Sequence, residues 1–244
     1  MKNLLIIGRP GVGKTTLMKR LIQSTRPYPI EGFVTEEYRE ASNRIGFWLS
    51  PLDGRQMLLA HRELPTGIRV GPYKVNAAVL DEVAVPLIQR AKAQARVLFL
   101  DELGKMELSS ALFSRAVREA FDHGPAIVAT ASVAPIDFLN ALKQRRDVEL
   151  IPMTVANRET VSEELIERLR VACAEDPAKH QMESCANRIC EWIVKGQAPL
   201  LDIEIQQAAL RELVGKVFPE KPHFYQLLYE TRFRRLWQQF RHDT

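Results

Sequence analysis

Gly8-Arg-Pro-Gly-Val-Gly-Lys-Thr15, near the start of this 244-residue chain, matches the pattern G-x-x-x-x-G-K-[ST] of phosphate-binding loops. Such a loop needs a buried strand before it and a helix after it, because loop N–H groups and the helix N-terminus surround the phosphates with partial positive charge. The apolar run 2–7 predicts the strand, and apolar residues repeating at helical spacing after Lys14 predict the helix. We therefore expect nucleotide contacts from Gly8, Arg9, Pro10, Gly11, Val12, Gly13, Lys14, Thr15 and Thr16.

The residue types in this Walker A pattern suit the chemistry of a triphosphate. Its glycines allow backbone conformations that are costly for other residues, and they leave room for phosphate oxygens. Lys14 supplies a positive charge to the β and γ phosphates, and the Thr15 hydroxyl is a ligand for Mg²⁺. A glycine-rich turn with a solvated lysine is the alternative, against which the two flanking elements argue.

A second stretch, Val97-Leu-Phe-Leu-Asp101-Glu102, has the Walker B form, in which a buried strand ends in a carboxylate. We expect Asp101 to hold Mg²⁺ through water, because this hard cation keeps several waters and takes one or two protein carboxylates. Glu102 is then free to act as general base on the attacking water, a role worth about 10² to 10⁴ in rate. Lys14 and Glu102 are therefore the expected catalytic residues, and Thr15 and Asp101 the expected metal ligands. The alternative is that Asp101 and Glu102 begin a solvated loop or cap a helix.

Beyond the first strand, three apolar runs predict strands, and they are 96–100, which overlaps the Walker B stretch, 126–131 and 148–153. Predicted helices separate these runs, so we expect a mainly parallel sheet with helices on both faces. Two β-prone runs, 32–38 and 45–49, flank the polar sequence EASN and predict a β-hairpin inserted after the first helix. The expected fold class is therefore α/β with three layers.

The pattern changes after about residue 170, where β-prone runs stop and helical stretches are predicted at 184–195, 203–218 and 224–240. We therefore divide the chain into an α/β domain at 1–172 and a helical C-terminal extension at 173–244, whose role the sequence does not indicate. Within the first domain, the periodicity of 76–95 predicts a helix that Pro86 should kink or divide.

The composition is that of a packed globular protein, with 46% hydrophobic and 26% charged residues. A net charge of +4 permits contact with nucleic acid or polyphosphate, but such an excess is also common in proteins that bind neither. No apolar stretch is long enough to cross a bilayer, and three cysteines cannot make a full disulfide framework. We therefore expect a cytoplasmic protein without a membrane partner, and its oligomeric state stays open.

Several sequence blocks taken together resemble a known family, the small nucleoside-triphosphatases of thermophiles, which include the human cancer-related nucleoside-triphosphatase. The blocks are GRPGVGKTTL (8–17), GFVTEEYRE (32–40) with RIGF (44–47), GPYKVN (71–76), DELGKMEL (101–108) and TVANR (154–158). Very many proteins share the first block, whereas GFVTEE and DELGKMEL in this order are specific to the family. The resemblance covers about residues 1–172, so the tail after it has no counterpart in minimal family members.

The resemblance implies a P-loop NTPase fold in which one strand separates the P-loop strand from the Walker B strand. It also implies slow hydrolysis of ATP, GTP and other nucleoside triphosphates. The roles assigned above stay unchanged, and Asn157 and Arg158 become candidate contacts to the base or ribose, although Asn-Arg before a helix is also an ordinary cap. Lys105, in the DELGKMEL block with Glu107, either approaches the phosphates or lies in solvent. Arg9 departs from the small or apolar residue common in the family loop, and it either reaches the phosphates or points to solvent.

Three other features suggest sites that have simpler explanations. Cys173, His180, Cys185 and Cys190 are potential zinc ligands, but they lack paired C-x-x-C spacing. Aromatic residues interleaved with arginines in 224–241 either bind single-stranded nucleic acid or form one packed face of an amphipathic helix, and we favour packing. Thr130 ends a predicted strand, where it either senses the γ phosphate or fills the core.

The leading hypothesis is Mg²⁺-dependent hydrolysis of nucleoside triphosphate to diphosphate and phosphate. One alternative is a phosphotransferase acting on a nucleoside or another small acceptor, since P-loop kinases share the same cradle. The other is a nucleotide-switched protein associated with nucleic acid, in which the tail binds the partner.

Overall fold

The computed structural model describes residues 2–26, 28–174, 177–196 and 198–241, and the chain divides into two compact units at residues 1–173 and 174–244. The strands of the first unit are β1 Asn3–Ile7, β2 Ile30–Glu40, β3 Asn43–Pro51, β4 Met57–His61, β5 Ile68–Val70, β6 Tyr73–Val75, β7 Val97–Leu103, β8 Ala126–Ala131 and β9 Val148–Pro152. The α-helices are α1 Lys14–Thr25, α2 Ala77–Val79, α3 Val85–Gln94, α4 Ala111–His123, α5 Asp137–Lys143, α6 Arg158–Ala174, α7 Pro177–Lys195, α8 Leu200–Val217 and α9 Thr231–Phe240.

The sheet of the first unit has the strand order β5-β6-β4-β3-β2-β7-β8-β1-β9. Strands β2, β7, β8, β1 and β9 pair in parallel. Successive residues of β7 pack on opposite faces, because Leu98 and Leu100 join one hydrophobic cluster while Val97 and Phe99 join the other. Apolar clusters on both faces explain why the parallel strands appear in the sequence as continuous apolar runs. The predicted α/β class is confirmed, and β8 is the strand between β1 and β7.

The β2 edge of this parallel core carries an antiparallel extension formed by β3, β4, β6 and β5. The predicted hairpin corresponds to β2 and β3. Strands β4 to β6 escaped sequence analysis because β5 and β6 are only three residues long and β4 only five. Such short strands lack the period-2 pattern that identifies a strand. The inserted element is therefore a meander larger than the hairpin that the sequence predicted.

The helix predicted over 76–95 is interrupted ahead of Pro86. A π-helical turn at Leu80–Ala84 separates α2 from α3, and Pro86 lies in the first turn of α3. Proline has no N–H to donate, and its ring collides with the carbonyl four residues earlier in an α-helix. The wider π turn accommodates this conflict while the segment keeps packing against the sheet through Leu80 and Leu87.

The second unit is helical and contains α7, α8, α9 and a π-helical turn at Gln226–Glu230. Tyr225, Tyr229 and Phe233 are buried in its hydrophobic core. The arginines of the same segment are exposed, and they are Arg232, Arg234 and Arg235. The interpretation of the aromatic residues as a packed helical face is therefore confirmed for these three residues, whereas Phe240 of the same segment is 46% exposed.

The cysteines behave as core residues. Cys173, Cys185 and Cys190 are free and buried, and burial raises the pKa of each thiol. The described residues contain no cluster of His, Cys, Asp and Glu able to hold a metal ion, and the side chain of His180 lies outside them. Over the described ranges, no helix is both long and apolar enough to cross a membrane.

Candidate active site

The loop after β1 has backbone geometry that only glycine tolerates well. Gly11 and Gly13 have φ values of 78° and 105°. At Gly8 the limit is space, since a Cβ atom would lie 2.7 Å from the Met153 carbonyl oxygen and 2.8 Å from Val12 Cγ1. Helix α1 begins directly after this loop, and no side chain caps its N-terminus. The first N–H groups of α1 therefore face the loop with the partial positive charge that phosphate oxygens require.

Lys14 lies at the centre of the site, with 5% of its surface exposed. Its Nζ donates to the carbonyl oxygens of Gly8 at 3.2 Å and Arg9 at 3.5 Å. Nζ also lies 3.7 Å from Glu102 Oε2. A buried ammonium group requires such partners. The structure thus brings together the two side chains that the sequence predicts to be catalytic, although they are far apart along the chain.

Asp101 is completely buried near the C-terminal end of β7, two residues before the strand ends. Thr130 Oγ1 donates to its Oδ1 at 2.5 Å, whereas Oδ2 has no hydrogen-bond partner in the described parts of the chain. Burial raises the pKa of Asp101 to about 6, and hydrogen bonds from Thr130 and Thr15 act in the opposite direction. A buried carboxylate oxygen without a partner is costly, and with the Thr15 hydroxyl it forms the hard oxygen donor set that a divalent cation accepts. The residues therefore fit a divalent metal.

Glu102 is more exposed to solvent than Asp101, the residue before it. Its side chain is 32% exposed, so water can reach the carboxylate that faces Lys14. Adjacent residues at the end of one strand thus provide one carboxylate shielded from water and one open to it. The first suits a metal ligand and the second a base that accepts a proton from water.

Comparison with known proteins identifies the family. A family model described as NTPase matches residues 3–166. The chain belongs to the NTPase family of nucleoside-triphosphatase enzymes. Nucleoside-triphosphatase THEP1 of Thermotoga sp. (strain RQ2) is 41% identical over 170 residues, which cover 68% of this chain and 95% of that protein. Cancer-related nucleoside-triphosphatase of Homo sapiens is 35% identical over 172 residues, covering 64% of this chain and 90% of that protein.

A solved structure of a nucleoside-triphosphatase also matches this chain. The crystal structure of THEP1 from the hyperthermophile Aquifex aeolicus matches with a TM-score of 0.62 and 32% identity, covering 69% of this chain and 99% of that one. The resemblance inferred from the sequence blocks is therefore confirmed. The NTPase family match ends at residue 166, ahead of the whole second unit.

Thr130 has a role in the NTPase unit that sequence analysis did not assign. Its hydroxyl holds Asp101 Oδ1, and this contact exists because β8 lies beside β7 in the sheet. The sequence suggested that Thr130 either senses the γ phosphate or fills the core, and a hydrogen bond to Asp101 is neither of these roles. The missing signal is the pairing of β7 with β8, which joins residues 29 positions apart.

We expect Thr130→Val to raise the divalent cation concentration needed for half-maximal activity by about tenfold, because hydrogen bonds to charged groups contribute about 1.5 to 3 kcal/mol. Valine keeps the shape of threonine and removes the donor that orients Asp101. Initial rates measured against metal concentration at fixed nucleotide check this expectation. Thr130→Ser, which keeps the hydroxyl, is the matched control, and an unchanged half-saturating metal concentration in Thr130→Val would contradict the assignment.

The DELGKMEL segment places its two remaining charged residues in opposite environments. Lys105 is exposed, whereas Glu107 is buried with 4% of its surface accessible. Burial raises the pKa of Glu107 to about 8, and the negative charges of Glu102 and Asp101 act in the same direction. No sequence signal indicates this burial, because a charged residue in a polar loop is usually solvated.

The loop after β9 lies against the phosphate-binding loop, since Met153 N donates to the Ile7 carbonyl at 2.7 Å. Asn157 uses its side chain within this loop: Oδ1 accepts from Thr154 N at 2.7 Å, and Nδ2 donates to the Pro152 carbonyl at 2.9 Å. Arg158 begins α6 with a side chain that is 49% exposed. The structure therefore shows a loop-closing role for Asn157 and leaves Arg158 accessible.

The other residues of the predicted nucleotide site lie in the phosphate-binding loop after β1 or at the start of α1. Arg9, Pro10 and Thr16 are exposed, and Val12 is buried. The Arg9 carbonyl accepts from Lys14, while the Arg9 side chain lies at the surface.

Proposed function

We propose that this protein hydrolyses nucleoside triphosphates to nucleoside diphosphate and phosphate with Mg²⁺ as the divalent cation. One observation carries the proposal: Lys14 Nζ lies 3.7 Å from Glu102 Oε2 beside the buried Asp101 carboxylate. Phosphate charge, metal and water thus each have a matching group at the same edge of the sheet. Family membership supports the reaction class.

Thr15 and Asp101 are the residues that would hold Mg²⁺, through a hydroxyl oxygen and a carboxylate oxygen. When bound, the ion neutralises negative charge that develops on the β and γ phosphate oxygens. Oxygen ligands and a single protein carboxylate suit Mg²⁺, which keeps several of its own waters.

The chain's own groups perform the remaining steps. The amides of the loop and the Lys14 ammonium bind the β and γ phosphates and orient them. Glu102 accepts a proton from the water whose oxygen bonds to the γ phosphorus, while the bond from that phosphorus to the bridging oxygen breaks and the diphosphate leaves. Lys14 stabilises the charge that the leaving oxygen acquires.

We assign the nucleobase to the loop after β9, with low selectivity among bases. Val155 is 70% exposed in this loop, and Arg158 follows it. An apolar side chain and a guanidinium plane both contact the face of any base, whereas reading one base requires hydrogen bonds to its edge. Asn157, which the sequence made a candidate base contact, shapes the loop in this proposal.

We expect Arg158→Ala to raise KM for ATP, GTP, CTP and UTP by a similar factor of about 3 to 10, because stacking contributes roughly 1 kcal/mol or more per base. The value of kcat should stay unchanged, since Arg158 is not assigned to the phosphates. Initial rates with all four nucleotides check this expectation. Arg170→Ala, at an exposed position on the same helix, is the control. A KM increase confined to one nucleotide would contradict low selectivity.

The reaction class is tested by phosphate release from each nucleotide, with Mg²⁺ and with excess chelator. With Mg²⁺ present, turnover should be complete with water as the only acceptor of the phosphoryl group. Nucleoside diphosphate formation that requires an added acceptor would instead show a phosphotransferase.

Nucleic acid should not stimulate the rate of hydrolysis, since residues 174–244 contain ten Lys or Arg residues and ten Asp or Glu residues and so carry no excess of positive charge. The aromatic side chains Tyr225, Tyr229 and Phe233 are also buried in this unit.

A further inference from the structure

The segment that joins Glu102 to α4 is fixed by its own hydrogen bonds. Gly104 N donates to Glu107 Oε2 at 3.1 Å, and the Gly104 carbonyl accepts from Leu108 N at 3.0 Å. Both backbone polar groups of Gly104 are therefore held, two residues after Glu102. The direction in which the chain leaves Glu102 depends on these bonds.

The far end of this segment is attached to the fold. Ser110 Oγ accepts from Phe113 N at 3.0 Å and caps α4, and the same hydroxyl donates to Asp81. Glu107 lies between this fixed cap and Gly104, within a short 3₁₀ helix at Glu107–Ser109. Its carboxyl group is thus the side-chain link between the cap of α4 and the backbone at Gly104.

Gly104 also separates the two glutamates. A Cβ atom built on Gly104 would lie 3.1 Å from Glu107 Oε2 and 4.0 Å from Glu102 Oε1. Gly104 therefore lies close to both carboxylates, and its N–H ties the backbone beside Glu102 to the Glu107 carboxyl. The Oε2 atom of Glu102 lies 3.7 Å from Lys14 Nζ.

We propose that Glu107 is a positioning residue, whose buried side-chain oxygen holds Gly104 N–H and thereby aims Glu102 at the attacking water. This inference rests on the general-base role proposed for Glu102. What the loop requires from residue 107 is a hydrogen-bond acceptor of glutamate length. Burial and the neighbouring carboxylates favour the uncharged form of Glu107, so a neutral amide satisfies the same requirement.

A matched pair of substitutions tests the proposal. Glu107→Gln keeps the acceptor, and Glu107→Met keeps the approximate length and removes it. We expect Glu107→Met to lower kcat by about 10- to 100-fold with KM for ATP unchanged, because a small misplacement of a catalytic group costs up to about 10²-fold. Glu107→Gln should retain kcat within about threefold, which corresponds to less than about 1 kcal/mol in the activation free energy. Wild-type kcat in Glu107→Met, or equal losses in both variants, would overturn the proposal.

Combining Glu107→Met with Glu102→Gln separates failure of this proposal from failure of the general-base role. If Glu107 acts through Glu102, its substitution changes the single-turnover rate of Glu102→Gln by less than about threefold, since effects of coupled residues do not add. Independent, additive losses would overturn the positioning role. Full activity in Glu102→Gln itself would instead remove the general-base role on which the positioning role depends, and both would then be overturned.

Gly104→Ala gives a second test that leaves Glu107 in place. Its methyl group would meet Glu107 Oε2 at 3.1 Å, so one of the two must shift. We expect a loss of kcat with KM unchanged, and thermal melting monitors folding of each variant. If Glu107→Met does not fold, Gly104→Ala decides, and a wild-type kcat in that variant refutes the proposal.

Discussion

Replacing Glu102 by glutamine is expected to lower kcat by about 10² to 10⁴, the usual contribution of a general base. The amide has the shape of the carboxylate but cannot take a proton from water. Nucleotide affinity should be preserved, because the phosphates are assigned to the loop and Lys14. A phosphate-release assay measures kcat, and titration with nucleotide in the presence of Mg²⁺ measures affinity.

The control for this variant is Glu149→Gln. Glu149 lies on β9, and its partly buried carboxylate pairs with Arg168 at 2.6 Å. Its turnover should match that of the unmodified protein. If Glu102→Gln also turns over at the unmodified rate, Glu102 is not the base. If Glu102→Gln loses nucleotide affinity in proportion to its rate, Glu102 contributes to binding instead.

Lys14→Ala is expected to lower kcat/KM by roughly 10² to 10³-fold, since two or more charge-assisted hydrogen bonds contribute about 1.5 to 3 kcal/mol each. Both kcat and KM should change, because the ammonium contacts the phosphates of the substrate and stabilises charge as the bond breaks. Steady-state rates across nucleotide concentrations measure the two constants.

Lys19→Ala provides the control on the same helix, as Lys19 is exposed and pairs with Glu36. The rate of that variant should stay close to that of the unmodified protein. Thermal melting of Lys14→Ala should show no large loss of stability, because a buried ammonium is itself costly. Retention of kcat/KM in folded Lys14→Ala would contradict the assigned phosphate site.

The sequence predicted the phosphate-binding loop well because that structure is local. Gly8 to Thr15 are contiguous, and their spacing alone implies strand, loop and helix. The continuous apolar run ending at Asp101 predicted a buried strand for the same reason. The separation of the two strands by one other strand came from family resemblance and not from periodicity.

Contacts between distant segments could not be predicted in the same way. The bond from Thr130 to Asp101 depends on which strands are neighbours, and the burial of Glu107 depends on how its loop folds back on Gly104. Asn157 illustrates a different difficulty. Its position in a family block suggested a base contact, yet its amide forms the local turn that short polar side chains commonly make.

The unpartnered Oδ2 of Asp101 implies that thermodynamic stability and metal binding place opposite demands on this fold. Enclosing a carboxylate oxygen without a donor reduces the free energy of unfolding by about 1 to 3 kcal/mol. A substitution elsewhere that supplied this oxygen with a donor would raise the free energy of unfolding, and it would compete with the metal, or with a water that the metal carries, for the same lone pair. Improving the stability of this enzyme is therefore safest at positions away from the ends of β7 and β8.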